Sequence, residues 1–407
     1  MNIWLINHYA VPPQYYPLAR PSTFAKYLLR MGHDVTIFAA STVHNSGQNL
    51  ITDGSLWREE IVDGIHYVYI KCKAYQGNGL KRIYNMCEFA WKLPGVCKRF
   101  PKPDAIVATS VPPTSCAVGV HLARKYGCKG VAEIADLWPE SIVAYGVAGP
   151  HNPAIIALRW LEKWIYKKAD AVVFTMEGAY SYIEEQHWTK EISRSKIHYI
   201  NNGVDLEVFH YNREHYQVKD PDLEDSSLFT ICFAGALVRS NNIDGMIDIA
   251  SRLQSHQDIR FLIWGNGEEK ERMLQRIEAE GLTNVRYKGT VEKKYIPYIV
   301  SHCSLNFMHA ADTALYRYGA SPNKLFDYLA AERPILQDFT YYGDIVAAYG
   351  CGISCKWDID RVASAVETLY GLDDEARQEI QRNCRKAAHD YDFRNLTKKL
   401  IDVLEKA

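Results

Sequence analysis

The stretch richest in reactive side chains is Tyr318-Gly319-Ala320-Ser321-Pro322-Asn323-Lys324-Leu325-Phe326-Asp327. Ser321 followed by Pro322 predicts a helix start, with a capping hydroxyl and then proline at the first helical position. A new helix offers free N–H groups and the positive end of its dipole, which suits an anion. Lys324 adds a full cation to that first turn, where it opposes the dipole at a cost of about 0.3–1 kcal/mol when no anion is bound. Asp327 follows three residues later and so neighbours Lys324 on the helix surface. Its two oxygens can accept both protons of a vicinal diol. Ser321, Asn323, Lys324 and Asp327 therefore read as an anion grip, with Leu325 on the apolar stripe of another face. They read equally well as a solvated Lys–Asp pair on an ordinary helix.

A second place for chemistry is Glu133-Ile134-Ala135-Asp136-Leu137-Trp138-Pro139-Glu140. It leaves a strand and enters a helix at Pro139, so Asp136 sits at a strand C-terminus, where open parallel sheets bind ligands. A carboxylate there can orient a hydroxyl or take its proton. The alternative is a turn-forming Asp that bonds nearby N–H groups. Glu133 is expected to point into the sheet and Glu140 to suit a helix's first turn. His8 and His309, each near a strand end, read as structural. Gly265 and Gly267 permit close backbone approach, expected beneath a ligand. Thr290 and Val291 follow a strand and offer backbone groups.

A third cluster mixes Lys81, Arg82, Lys92, Lys98, Arg99 and Lys102 with Tyr84, Phe89, Trp91 and Phe100. An interfacial helix docking on anionic lipid has this composition. So has a basic helix on a soluble domain, and Glu88 and Pro94 interrupt the pattern.

These residues need scaffolding. Ile3–Tyr9, Val35–Ala39, Asp104–Thr109, Val131–Ala135 and Asp170–Thr175 read as strands separated by helical patterns. Leu228–Ala234, Ile259–Trp264, Val285–Lys288 and Leu305–Met308 repeat the rhythm after a polar stretch at Asn212–Ser227. This implies two doubly wound α/β domains with parallel sheets. The expected division is 1–205, 206–388 and a C-terminal helix at 389–407, whose Phe393, Leu396, Leu400, Val403 and Leu404 recur at helical spacing.

A chain of 407 residues exceeds one core, which agrees with two domains. A net charge of −1 argues against extended nucleic-acid binding. The first strand–helix junction, Asn7-His8-Tyr9-Ala10-Val11-Pro12-Pro13, has no G-x-G-x-x-G, which argues against a nicotinamide dehydrogenase. The N-terminus does not read as a signal peptide, and no run of about 18 apolar residues suggests a membrane span. The ten cysteines show no zinc spacing and read as buried hydrophobes in a reducing cytoplasm. Asp358-Ile359-Asp360 has the letters of a metal-binding Asp-x-Asp but reads as a solvated helix start.

Over nearly its whole length the sequence resembles the retaining GT-B glycosyltransferases of the family-4 type, and within them bacterial enzymes of O-antigen and capsule synthesis, including N-acetylfucosamine transferases. The resemblance rests on four matches in order: Phe233-Ala234-Gly235, Trp264-Gly265-Asn266-Gly267, Val285-Arg286-Tyr287-Lys288-Gly289 and the helix ending Ala331-Glu332-Arg333-Pro334. It implies a GT-B fold with two Rossmann-like domains facing a cleft, and a last helix crossing back to pack on the first domain.

The implied activity is metal-independent hexosyl transfer (EC 2.4) from a nucleotide diphosphate sugar, with no other cofactor. UDP is the favoured carrier by family frequency, and the sugar is of N-acetylated hexosamine type. The acceptor is a glycan or a polyprenyl-diphosphate-linked sugar, on the cytoplasmic side and peripheral to the inner face of the membrane. The family's ribose-binding Glu falls on Asp327, while its earlier Glu, eight positions upstream, falls on Gly319. Its Arg and Lys after the strand-Gly turn fall on Ala236 and Asn241; Arg239 and Lys324 are the candidate replacements. Donor contacts are thus expected at Gly235, Arg239, Asn241, Gly265, Gly267, Thr290, Val291, Ser321, Asn323, Lys324, Leu325 and Asp327. Asp136 is the expected catalytic group. In place of the family's N-terminal glycine pair stands Tyr15-Tyr16-Pro17-Leu18-Ala19-Arg20-Pro21, with Arg20 expected on the acceptor side alongside Lys81, Arg82, Trp91, Lys98 and Arg99. Two other readings are a non-catalytic GT-B subunit, motivated by the missing charges, and a GT-B-like sugar-nucleotide epimerase.

Overall fold

Runs such as Ile3–Ile6 and Ala105–Ala108 are buried throughout, as strands covered by helices on both faces require. In the computed structural model, which describes residues 1–15 and 20–407, the chain forms two compact units. One comprises Met1–Asn201 with Phe393–Ala407, the other Asn202–Asp392. Tyr16 to Ala19 of the tyrosine- and proline-rich stretch lie outside the described residues.

The first unit holds β1 (Asn2–Ile6), β2 (Asp34–Ala40), β3 (Trp57–Val62), β4 (Ile65–Ile70), β5 (Ala105–Ser110), β6 (Lys129–Ile134), β7 (Ala171–Phe174) and β8 (Ile197–Tyr199). Their order is β3-β4-β2-β1-β5-β6-β7-β8. Every pairing is parallel except β3 with β4. That hairpin turns at Asp63-Gly64, both at positive φ (52° and 78°), the geometry of a two-residue hairpin loop. Sequence periodicity passed over it because the consecutive charges Arg58, Glu59 and Glu60 on the edge strand hide the alternation.

The second unit holds β9 (Phe229–Ala234), β10 (Ile259–Trp264), β11 (Val285–Gly289), β12 (Leu305–Met308), β13 (Ile335–Gln337) and β14 (Gly352–Ser354), ordered β11-β10-β9-β12-β13-β14 and all parallel. β8, β13 and β14, three residues each, are too short to show a period.

The helix Phe393–Lys406 belongs to the first unit. Its residues Phe393, Leu396, Leu400, Val403 and Leu404 are buried, and Phe393 meets the edge of Phe24 at 5.3 Å. The cysteines are free. Cys87 is exposed and Cys128 and Cys355 are half-buried, so the expectation of uniformly buried thiols holds only for the others.

Candidate functional site

Within the second unit, β9 and β12 lie side by side, and the chain leaves their C-terminal ends at Gly235 and His309. Lys324, on the helix Asn323–Ala330, reaches this point. Its ammonium lies 4.3 Å from the centre of the Phe233 ring and donates to the His309 carbonyl at 3.4 Å. A Cβ placed on Gly235 would stand 3.7 Å from the same nitrogen. The cation thus occupies the strand-Gly turn, where Ala236 and Asn241 carry no charge. Burial pushes its pKa down to about 8, with the charge of Asp338 opposing the shift.

A buried pair supports it. His309 Nδ1 shares a short hydrogen bond with Asp338 Oδ2, and His309 Nε2 donates to the Asn242 carbonyl. Both ring nitrogens face acceptors, so the ring is clamped and its own carbonyl is held at Lys324. Asp338 escaped sequence analysis. The available signal was an aspartate at the end of the short strand Ile335-Leu336-Gln337.

The helix begins at Asn323 with Pro322 as its N-cap, and no side chain caps it. This corrects the expected Ser321 cap. The Ser321 hydroxyl accepts instead from the Asn202 N–H at 3.3 Å, and the Asn202 amide donates to Asn323 Oδ1 at 2.7 Å. Among the described residues the N–H groups of Asn323 and Lys324 have no acceptor. Leu325 is corrected as well: its side chain is fully buried and its N–H donates to the Pro322 carbonyl at 3.1 Å, so it anchors the turn. The half-buried Asp327 carboxylate has no hydrogen bond or ion pair among the described residues. Burial raises its pKa, and the charge of Lys293 opposes that rise. A carboxylate in this state is costly to leave unpaired and ready to accept hydrogen bonds.

The neighbouring loops differ from expectation. Gly265 and Gly267 do permit close approach, but to protein. A Cβ on Gly265 would lie 1.9 Å from the Gly235 oxygen, and one on Gly267 2.2 Å from the Leu237 oxygen. With φ at +153° and +159°, both positions favour glycine. They seat the β10 turn against the β9 turn, where the Leu237 N–H donates to the Asn266 carbonyl at 2.9 Å. Gly265→Ala is therefore expected to destabilise the fold by about 2–4 kcal/mol through clash and backbone strain, read as a lowered urea midpoint. Asn241 is also turned inward, donating to the Ala236 carbonyl at 2.7 Å. Arg239 is 86% exposed and among the described residues reaches only Glu269, at 3.5 Å. Thr290 and Val291 follow β11, and their N–H groups have no acceptor among the described residues.

In the first unit Asp136 follows β6. Its side chain is exposed and makes no hydrogen bond or ion pair among the described residues, which removes the turn-forming alternative. Desolvation by the surrounding protein raises its pKa. Glu133 is buried and pairs with Arg20 at 3.0 Å. Arg20 also donates to the carbonyls of Asn201 and Ile200 at 2.6 and 2.9 Å. Buried and occupied in this way, Arg20 holds β6 to the end of the unit, which corrects its expected acceptor role. Glu140 pairs with Arg159 at 2.8 Å. His8 is buried against Asn85 at 2.7 Å.

The helix Leu80–Cys97 buries Asn85, Met86, Phe89, Leu93 and Val96. Leu80, Ile83, Tyr84 and Trp91 stay exposed, with Trp91 at 80%. Lys81, Lys98 and Arg99 are exposed with them. Arg82 is a correction: its guanidinium donates to the Tyr9 hydroxyl at 2.9 and 3.1 Å and to Asn78 at 2.7 Å. Asp358 caps the helix Ile359–Tyr370 and Asp360 pairs with Arg252 at 3.1 Å, as a solvated helix start should. Another Asp-x-Asp, Asp220 and Asp222, closes on the Lys288 ammonium at 2.7 and 2.5 Å.

Residues 22–208 match the profile described as Glycosyltransferase Family 4, and residues 218–388 the one described as Glycosyl transferases group 1. A relative named probable glycosyltransferase WbjE, from Pseudomonas aeruginosa, is 23% identical over 259 residues, a stretch spanning 63% of this chain and 62% of that protein. Sucrose-phosphate synthase from Thermosynechococcus elongatus is similar in structure with a TM-score of 0.71 at 13% identity, over 100% of this chain and 98% of that one. Anabaena HepE in complex with UDP gives 0.67 at 12% identity over 100% of both chains. At such identities the structural likeness carries the fold alone.

Proposed function

The chain belongs to the GT-B glycosyltransferases, and we propose that it moves a sugar of N-acetylated hexosamine type from a UDP-linked donor to a glycan or polyprenyl-diphosphate-linked acceptor, with retention, in surface-polysaccharide synthesis. One observation carries this reading: Lys324 and the unpaired Asp327 stand on one helix start, with the cation at the ends of β9 and β12. The diphosphate lies at Lys324 and the open N–H groups of Asn323 and Lys324. Asp327 accepts from the ribose diol. Thr290 and Val291 meet the base through their backbone. HepE was solved with UDP, and WbjE is named a glycosyltransferase; both support the choice of donor class.

As the sugar–oxygen bond breaks, negative charge builds on the leaving diphosphate. Preorganised donors stabilise such charge most where little water competes, and the part-buried Lys324 is placed for that. In this reading Lys324 and the helix start do the work without a divalent metal or any cofactor beyond the donor. Asp136 orients the acceptor hydroxyl or takes its proton, and the departing phosphate is the alternative base. Leu80, Tyr84 and Trp91 recur at helical spacing and form one exposed stripe beside Lys81, Lys98 and Arg99. That stripe supports peripheral contact with the anionic cytoplasmic leaflet, where lipid-linked acceptors reside. No helix among the described residues is long and apolar enough to cross a membrane.

Thermal-shift screening against UDP-, GDP- and ADP-linked sugars tests the donor site. A UDP-N-acetylhexosamine near 100 times its Kd is expected to stabilise the protein by about 2.7 kcal/mol, seen as a rise in Tm. No shift with any of the nucleotides would sink the donor reading. Turnover with and without EDTA tests the rest: activity lost on chelation overturns metal independence, and binding without transfer to any acceptor points to the non-catalytic alternative.

A further inference from the structure

Beyond the His309–Asp338 pair the second unit contains a cavity of about 560 Å³ with an aromatic lining. It lies where the chain leaves β12, β13 and β14. Tyr316 and Phe339 stack at 4.8 Å with 21° between their planes, and Phe339 and Tyr341 follow at 6.1 Å and 30°. Three rings therefore stand nearly parallel in a row. Tyr342 is 55% exposed at the same cavity, and its hydroxyl makes no hydrogen bond among the described residues. Trp357 closes another side, its ring 5.4 Å from that of His309. The polar part of the lining includes Asp312 and Lys356, both exposed and neither in an ion pair among the described residues.

We infer that this cavity is a pyranose-binding subsite in which Tyr342 stacks on the apolar face of a sugar ring. The inference rests on the donor reading above and deepens it. A pyranose carries C–H groups on its faces and hydroxyls around its edge. Aromatic faces are electron-rich and take the first. A carboxylate and an ammonium take the second. Sheet order supports the assignment. The strands run β11-β10-β9-β12-β13-β14. The open backbone at Thr290 and Val291 follows β11, Lys324 stands at β9 and β12, and the aromatic cavity follows at β13 and β14. Base, diphosphate and sugar thus fall in linear order along one edge. Asp338 belongs both to the cavity lining and to the pair with His309, whose carbonyl accepts from Lys324, so one buried pair separates the cavity from the cation. The ring can come from the donor or from the acceptor.

Tyr342→Ala and Tyr342→Phe, each checked for an unchanged Tm, separate these sources. Three probes are titrated by calorimetry: UDP, UDP-N-acetylglucosamine, and an N-acetylglucosamine trisaccharide without nucleotide. For a donor ring, Tyr342→Ala weakens UDP-N-acetylglucosamine about five- to tenfold, spares UDP, and Tyr342→Phe behaves as wild type. For an acceptor ring, the same pattern appears with the trisaccharide. Wild-type affinity of Tyr342→Ala for all three probes overturns the subsite. Equal weakening of UDP and UDP-N-acetylglucosamine also overturns it, because Tyr342 would then stack on the base. Wild-type protein that fails to bind UDP defeats the donor reading separately, and the trisaccharide arm still decides the stacking role.

Discussion

Lys324→Ala is expected to lower kcat/KM by about 10²–10³-fold, the usual cost of removing one preorganised donor to a developing oxyanion. The ground-state affinity for a UDP-sugar falls less, by about 10–100-fold, because a hydrogen bond to a charged group contributes about 1.5–3 kcal/mol. A pH series gives this prediction its signature. Burial holds the free lysine's pKa down at about 8, so it is charged at neutral pH and loses its proton above about 8. The diphosphate of a UDP-sugar has no group titrating in that range. Wild-type affinity should therefore be flat at neutral pH and fall above about 8, while Lys324→Ala shows no such fall.

Stability moves the other way. A lysine whose folded pKa lies below its unfolded value costs the fold free energy while charged, and that cost fades as pH rises from about 8 towards the unfolded value. Lys324→Met is expected to unfold at higher denaturant than wild type at neutral pH, even though it binds donor poorly. A Lys324→Ala enzyme with wild-type kcat/KM would remove Lys324 from the donor site.

Asp136→Asn is expected to lower kcat by about 10²–10⁴-fold, the range for removing a general base, while donor affinity stays within about twofold. The carboxylate is unpaired among the described residues and the surrounding protein desolvates it, so the neutral Asn variant should be at least as stable as wild type at neutral pH. Asn keeps the shape and can still hydrogen-bond, but it cannot take a proton. Asp136→Asn and Asp136→Ala thus separate proton transfer from orientation. Desolvation raises the Asp136 pKa, so wild-type turnover should fail on the acid side at a pH above the ordinary carboxylate range. That limb should disappear in the Asn variant. Turnover within about threefold of wild type in Asp136→Asn would rule out the base role and leave the departing phosphate as the proton acceptor.

Much of the frame was legible from local pattern. Buried parallel strands need apolar runs, and β9, β10 and β12 announce themselves in Phe229–Ala234, Ile259–Trp264 and Leu305–Met308. The C-terminal helix shows its buried face in the spacing of Phe393, Leu396, Leu400, Val403 and Leu404. The helix start that carries Lys324 and Asp327 was legible because proline, lysine and aspartate within one helical turn act through nearest-neighbour geometry. Arg20 and Arg82 misled for the opposite reason. A guanidinium suits an anion, a carboxylate or a carbonyl equally well, and only the folded chain shows that Glu133, Asn201 and Ile200 already hold the first and Tyr9 and Asn78 the second.

Residue types and spacing alone determined two doubly wound domains, an amphipathic C-terminal helix, and a cation and a carboxylate one turn apart at a helix start. The tertiary structure decided what surrounds that start. Phe233 and the His309–Asp338 pair meet at Lys324 because β9, β12 and β13 are adjacent in the sheet, an order no local period encodes. Asn202 draws Ser321 and Asn323 away from capping across more than a hundred residues of chain. Among the described residues the same folding leaves Asp327 and two N–H groups without protein partners, and those unmet hydrogen bonds point to a ligand more directly than the letters of the motif.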